Sequence, residues 1–179
     1  MKFHETPVTD AFVIELEPHV DDRGSFARAF CQRELAAAGV HFDVRQANLA
    51  HTDTAGVVRG LHYQLDPPEQ KIVRCIAGAV LNAIVDVRPE SPTPLATFHL
   101  RLDPVDRLAL FVPAGVAHGY QALEDHTEMM YLTDQFHQPG RERGVRYSDP
   151  ALAIPWPLAP RNVSTRDQRW PLLDAAGDG

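Results

Sequence analysis

A proline or glycine falls about every seven residues along this chain of 179 residues, with fifteen prolines and eleven glycines in all. Such spacing is typical of many short strands joined by tight turns. Strand candidates are Phe12–Leu16, Val57–Gln64, Lys71–Ile76, Val80–Arg88, Leu95–Leu102, Arg107–Val112, Gly119–Leu123 and Thr127–Phe136. Breakers such as Asp66-Pro67-Pro68, Ala77-Gly78, Asp103-Pro104 and Pro113-Ala114-Gly115 separate them. Asp21-Asp22-Arg23-Gly24 reads as a turn leading into Ser25–Phe30. Arg33–Ala38 is the one short helical stretch, stopped at Gly39. From Pro139 onward, the chain reads as loops and short turns wrapping a β-barrel. The expectation is an all-β, single-domain chain over residues 1–179.

Val80–Arg88 says more about the interior. Leu81, Ala83, Val85 and Val87 form one face, and Asn82, Asp86 and Arg88 mark the other, with Val80 and Ile84 between them. A polar face inside a barrel strand implies a lined cavity. The alternative is the solvent side of a sandwich.

Composition bounds the function. Hydrophobic residues at 44% and charged residues at 23% fit a globular chain. A net charge of −7 argues against a nucleic-acid groove, although a few pocket arginines suffice for an anionic small molecule. Cys31 and Cys75 read as free thiols of a reducing compartment. Met1–Glu5 holds no apolar signal core, and no apolar run reaches membrane-spanning length. These features predict a soluble, cytoplasmic protein with no membrane partner.

The chemistry concentrates in Arg59-Gly60-Leu61-His62-Tyr63-Gln64. His62 is a residue type that can act as a general base, and Lys71 opens a neighbouring strand. A base and a cation so placed suit proton abstraction beside a carbonyl, the cation steadying the enolate oxygen. Arg59 and His62 would face opposite ways in a straight strand, and Gly60 is where a bulge would unite them. A base histidine needs an orienting carboxylate, and Asp86, Asp149 and Asp167 are the candidates. Alternation puts Met129, Tyr131 and Thr133 on one face; a phenol there either donates a proton to the cavity or packs its ring. Arg23 and Arg59 are the better phosphate-binding candidates among the arginines. His4, His19, His41, His51, His99 and His126 read as structural.

Phe111–Gly119 places a Pro-x-Gly turn ahead of His118, which resembles the second box of the cupin barrels. The first cupin box normally brings His-x-His and a glutamate to a metal, whereas this chain has His62-Tyr63-Gln64. Only His62, His118 and Glu69 would remain, so no metal is expected and a metal-dependent cupin enzyme is the distant alternative.

Taken in order, the motifs are similar to those of the dTDP-4-dehydrorhamnose 3,5-epimerase family of cupin-type sugar-nucleotide epimerases. They are Asp22-Arg23-Gly24-Ser25-Phe26, Gln46-Ala47-Asn48, Arg59–Gln64, Lys71–Arg74, Val85–Thr93, Pro113–Gly119, Glu142–Arg146, Asp149–Leu152 and Ser164–Asp167. The resemblance runs nearly end to end. It implies a jelly-roll barrel, with N-terminal strands exchanged in a homodimer, that inverts C3 and C5 of a nucleotide-linked 4-keto-6-deoxyhexose without any cofactor. It makes His62 the base, Asp167 its orienting partner, Tyr131 the acid and Lys71 the enolate stabiliser. It puts Arg23, Phe26, Gln46, Asn48, Arg59, His118, His137, Glu142 and Arg166 around the nucleotide sugar, with Arg23 and Phe26 reaching across the dimer. Arg28, Ala47 and His137 depart from the family pattern at the nucleotide end. Epimerisation at C3 or C5 alone, and a non-catalytic sugar-binding cupin, are the other readings.

Overall fold

In the computed structural model, which describes residues 1–173, the breaker-bounded runs pair into antiparallel sheets. The strands are β1 (Lys2–Glu5), β2 (Phe12–Glu15), β3 (His19–Asp21), β4 (Gly24–Phe26), β5 (Gln46–Thr52), β6 (Val58–Gln64) and β7 (Lys71–Ala77). They continue as β8 (Val80–Asp86), β9 (Thr97–Leu102), β10 (Leu108–Val112), β11 (Val116–Ala122), β12 (Thr127–Thr133) and β13 (Glu142–Gly144). Helices α1 (Gln32–Ala37) and α2 (Thr165–Gln168) complete the set. One sheet has the order β1-β2-β10-β7-β12-β5 and the other β13-β6-β11-β8-β9; β3 and β4 form a separate hairpin. The two large sheets face each other as a cupin-type jelly roll.

Three apolar layers hold this arrangement. Between the sheets lie Val13, Val73, Val80, Ile84, Leu102, Leu110, Val116 and Met129. Outside the six-stranded sheet, Leu35 of α1 packs with Val40 and Phe42 on Ile14, Ile72 and Phe111. Outside the five-stranded sheet, Val145, Leu152, Ile154 and Trp156 of the C-terminal segment cover Leu61, Ala83, Val85 and Ala117. Strand β8 is therefore covered on both faces, which explains its nearly unbroken apolar run. Its polar residues Asn82 and Asp86 are fully buried, so the solvent-facing alternative is excluded.

The eight expected strands form, most of them trimmed at the ends. Strand β11 begins three residues earlier than expected, because Gly115 at φ +76 completes the turn at once. Sequence reading omitted β5, whose Gln-Ala-Asn-Leu-Ala-His-Thr lacks clean alternation, and also β1, β3, β13 and α2. The chain thus has a second helix besides the expected one. Helix α1 itself runs Gln32–Ala37, with Ala38 as its C-cap and Gly39 following at φ +83.

The bulge expected at Gly60 is present. His118 pairs with His62 and Tyr120 with Arg59, so three steps on β6 oppose two on β11. A side chain at Gly60 would lie 2.7 Å from both Gly119 Cα and the His118 carbonyl oxygen. Only glycine admits this approach at φ +106. Among the described residues no helix is long and apolar enough to cross a membrane.

Candidate active site

A cavity of about 660 Å³ opens between the sheets, lined by His62, Lys71, His118, Tyr120, Tyr131, Arg59, Arg166 and Asp167 among others. Its size suits a drug-sized or nucleotide-sugar ligand. His62 and His118 rise from β6 and β11 of one sheet, and Lys71 and Tyr131 from β7 and β12 of the other. A second, smaller depression is lined by Gln46, Asn48, Glu69, Thr133, His137 and Glu142, and it shares Lys71 and Tyr131 with the first.

The carboxylate beside His62 is Asp167, whose Oδ1 lies 2.5 Å from the imidazole Nε2. Asp86 is engaged elsewhere, by Arg88, Ser91 and Thr93, and Asp149 accepts from the backbone N–H groups of Ala151 and Leu173. Helix α2 delivers Asp167 to the site. Ser164 caps it by accepting from the Asp167 N–H at 3.1 Å, and the other carboxylate oxygen of Asp167 accepts from the Gly60 N–H at 3.2 Å. Burial alone would raise the Asp167 pKa, but the His62 hydrogen bond and charge, with the Gly60 N–H, hold it below the usual carboxylate value. The Trp170 ring meets His62 edge to face at 6.2 Å. Gly144 leaves the space for Trp170, since a Cβ there would lie 2.4 Å from the indole.

His118 has a different environment. Its Nε2 lies 2.7 Å from Asn82 Oδ1, and its ring meets that of Tyr131 at 6.0 Å. Burial, then the charges of Lys71 and His62, lower its pKa to about 3, so the imidazole is neutral. Burial, followed by the neighbouring Tyr120, pushes the Tyr131 phenol well above its ordinary pKa and keeps it protonated. Lys71 Nζ is 3.0 Å from Glu69 Oε2, with both side chains largely covered. Arg166 pairs with Glu142, joining the two depressions along one rim. Arg59 is tied to the His51 carbonyl at 2.9 Å.

Two predicted binding residues stand apart from the cavity of their own chain. Arg23 is 86% exposed and salt-bridged to Asp21, and Phe26 is 70% exposed against a different hollow. They lie on and beside the β3–β4 hairpin, which projects from the barrel. The three residues considered for a metal have other partners: Asp167 for His62, Asn82 for His118 and Lys71 for Glu69.

Sequence reasoning missed Asn82 as the partner of His118, and the pair Tyr120–Thr52, 3.3 Å apart beside Tyr131. The signal for α2 was present: Ser164-x-x-Asp167 has the spacing of a helix cap.

Comparison with known proteins agrees with this geometry. Residues 5–175 match the family model described as dTDP-4-dehydrorhamnose 3,5-epimerase. The dTDP-4-dehydrorhamnose 3,5-epimerase of Mycobacterium tuberculosis (strain CDC 1551 / Oshkosh) is 40% identical, the match covering 97% of this chain and 88% of that protein. A dTDP-4-dehydrorhamnose 3-epimerase of Streptomyces niveus is 37% identical over 99% of this chain and 86% of its own. The crystal structure of the Bacillus anthracis 3,5-epimerase with TDP and PPi bound superposes with a TM-score of 0.91 at 36% identity, covering 96% of this chain and 99% of that one. With its motifs, barrel and cavity in agreement, the chain belongs to the dTDP-4-dehydrorhamnose 3,5-epimerase family.

Proposed function

We propose that this chain epimerises dTDP-4-dehydro-6-deoxy-D-glucose to dTDP-4-dehydro-L-rhamnose, inverting C3 and C5 by proton transfer alpha to the C4 ketone. The observation that carries the reading is the opposition of His62 and Tyr131 across one cavity, with Lys71 beside them. With Nε2–H donated to Asp167, the His62 Nδ1 bears the free lone pair and serves as base. It takes the C–H proton, and the electron pair passes onto O4 as an enolate. The Lys71 ammonium, fixed by Glu69, neutralises the charge on that oxygen. Tyr131 then returns a proton to the opposite face of the carbon, which inverts it. Solvent resets both groups, and the second carbon follows by the same steps.

Arg59, His118 and Arg166 in the larger cavity, and Gln46, Asn48, His137 and Glu142 in the adjoining depression, supply contacts for the nucleotide sugar. Arg23 and Phe26 complete the site from a second copy of the chain. Support comes from the β3–β4 hairpin, which pairs with no other described strand and leaves Val20 76% exposed beside Phe26.

The Streptomyces relative gives the single-carbon alternative its specific support. One experiment separates the readings. The protein is incubated with dTDP-4-dehydro-6-deoxy-D-glucose in deuterated buffer, and the product is analysed by NMR. Deuterium at both C3 and C5 with L-rhamno configuration is the expected result, and label at C3 alone assigns the single inversion. Wild-type label uptake by His62→Ala would refute the base assignment.

A further inference from the structure

We propose that His51, Asp53 and His126 form a surface site for a divalent transition-metal ion of the zinc class, at the outer rim of the cavity, where Asp53 is also a lining residue. One ligand atom from each side chain lies within 4.8 Å of the other two. The His51 Nε2 and Asp53 Oδ1 are 3.3 Å apart. That matches the ~3.4 Å edge of a tetrahedron whose metal–ligand bonds are about 2.0–2.1 Å.

The backbone sets this arrangement. His51 sits on β5, at the edge of the six-stranded sheet, and Asp53 follows two residues on, so both leave the same side of the chain. Thr127 pairs with Thr52 and Glu128 with His51, which sets His126 across from Asp53. The His126 N–H donates to the Asp53 carbonyl at 3.2 Å, and the Ala55 N–H donates to Asp125 Oδ1 at 2.8 Å. These two bonds tie the approaching loops together beneath the three side chains. The imidazoles of His51 and His126 lie near-parallel with centroids 6.0 Å apart.

The intervening residue Thr52 turns inward to Tyr120, so His51 points outward from the sheet, and the His126 ring stacked on His51 shares that side. Neither imidazole packs into a core or belongs to the proton-transfer machinery, and both are exposed. Two imidazoles and one carboxylate suit zinc, cobalt, nickel or copper rather than magnesium or calcium, and solvent supplies the remaining positions.

The test titrates Zn²⁺ into the full-length protein against a chromophoric chelator near neutral pH, alongside the double variant His51→Gln/His126→Gln. The wild type is expected to withdraw one equivalent of zinc, and the variant none. Co²⁺ should give the wild type visible absorption bands of a four- or five-coordinate ion, and these should be absent from the variant. Circular dichroism checks that the variant is folded. A wild type that withdraws no zinc overturns the proposal. So does a folded variant that still binds a full equivalent, since the ion then lies elsewhere, for instance at His62 and His118.

Discussion

At the scale of single residues, two carboxylates of one chain show how environment decides role. Asp86 is buried against Arg88, Ser91 and Thr93, and although burial opposes ionisation, those partners lower its pKa to about 2. It braces the Asp86–Thr93 loop. Asp167 reaches the cavity with His62 as its hydrogen-bonded side-chain partner, the Arg166 guanidinium lying farther off at 3.6 Å and the Gly60 N–H holding the other oxygen. Asp167→Asn is expected to leave the fold intact and lower turnover by about 10²- to 10⁴-fold, since the amide no longer fixes the tautomer or stabilises the imidazolium. Steady-state kinetics with a melting curve distinguishes that from unfolding. In the proposed mechanism, Tyr131→Phe removes the donor of the opposite face and preserves the base. Its expected signature is solvent deuterium entering substrate with retention of configuration, while inversion falls by about 10²-fold or more. Equal loss of exchange and inversion would place Tyr131 in the abstraction step and overturn its assignment as the acid alone.

At the scale of elements, the β6 bulge carries the site, and it was legible because glycine stood between two residues of opposite parity. Arg59 and His62 had compatible chemistry but incompatible alternation, and Gly60 was where the strand could change phase. Gly60→Ala is expected to cost more than about 2 kcal/mol by urea denaturation, because positive φ and close backbone contact leave no relaxed alternative. The strands with alternating or continuous apolar runs were equally legible. β5 was not, because as an edge strand it buries little and its sequence shows no burial pattern. Asn82 was read only as a polar lining residue, since nothing local pairs it with a histidine 36 positions away. Alternation put Tyr131 on one face with Met129 and Thr133, and Lys71 was read as opening the neighbouring run, while their convergence on His62 depends on sheet-on-sheet packing, which local sequence does not encode.

At the scale of the molecule, the buried neutral His118 makes stability depend on pH. Its folded pKa of about 3 lies below the ordinary 6.5, so the unfolded chain binds the extra proton between those values. Stability from this residue is complete above about pH 6.5 and is lost as pH falls, by up to about 1.4 kcal/mol for each pH unit. Asp86 and Asp167 act in the same direction below about pH 4, where their unfolded forms protonate. Denaturation curves from pH 7 to 4.5 should therefore steepen through His118, and His118→Gln should show a shallower slope whatever its absolute stability. Subunit exchange addresses the proposed dimer. His62→Ala and Arg23→Ala are each expected to be nearly inactive, while a refolded mixture regains up to about a quarter of wild-type activity: roughly half the dimers are mixed, and each has one site with both native residues. No recovery on mixing would confine Arg23 to its own chain.

The hydrogen bond between His62 and Asp167 spans 105 positions. Strand β13 completes the second sheet at Gly144, twenty residues before the cap of α2. During synthesis, the strands and His62 leave the ribosome ahead of the carboxylate proposed to orient that histidine. On the proposed roles, the base stays unaligned until α2 has emerged and docked. Proteolytic removal of everything beyond Val163 would take away that carboxylate together with Arg166, so turnover and part of the grip on the sugar nucleotide would go at one stroke.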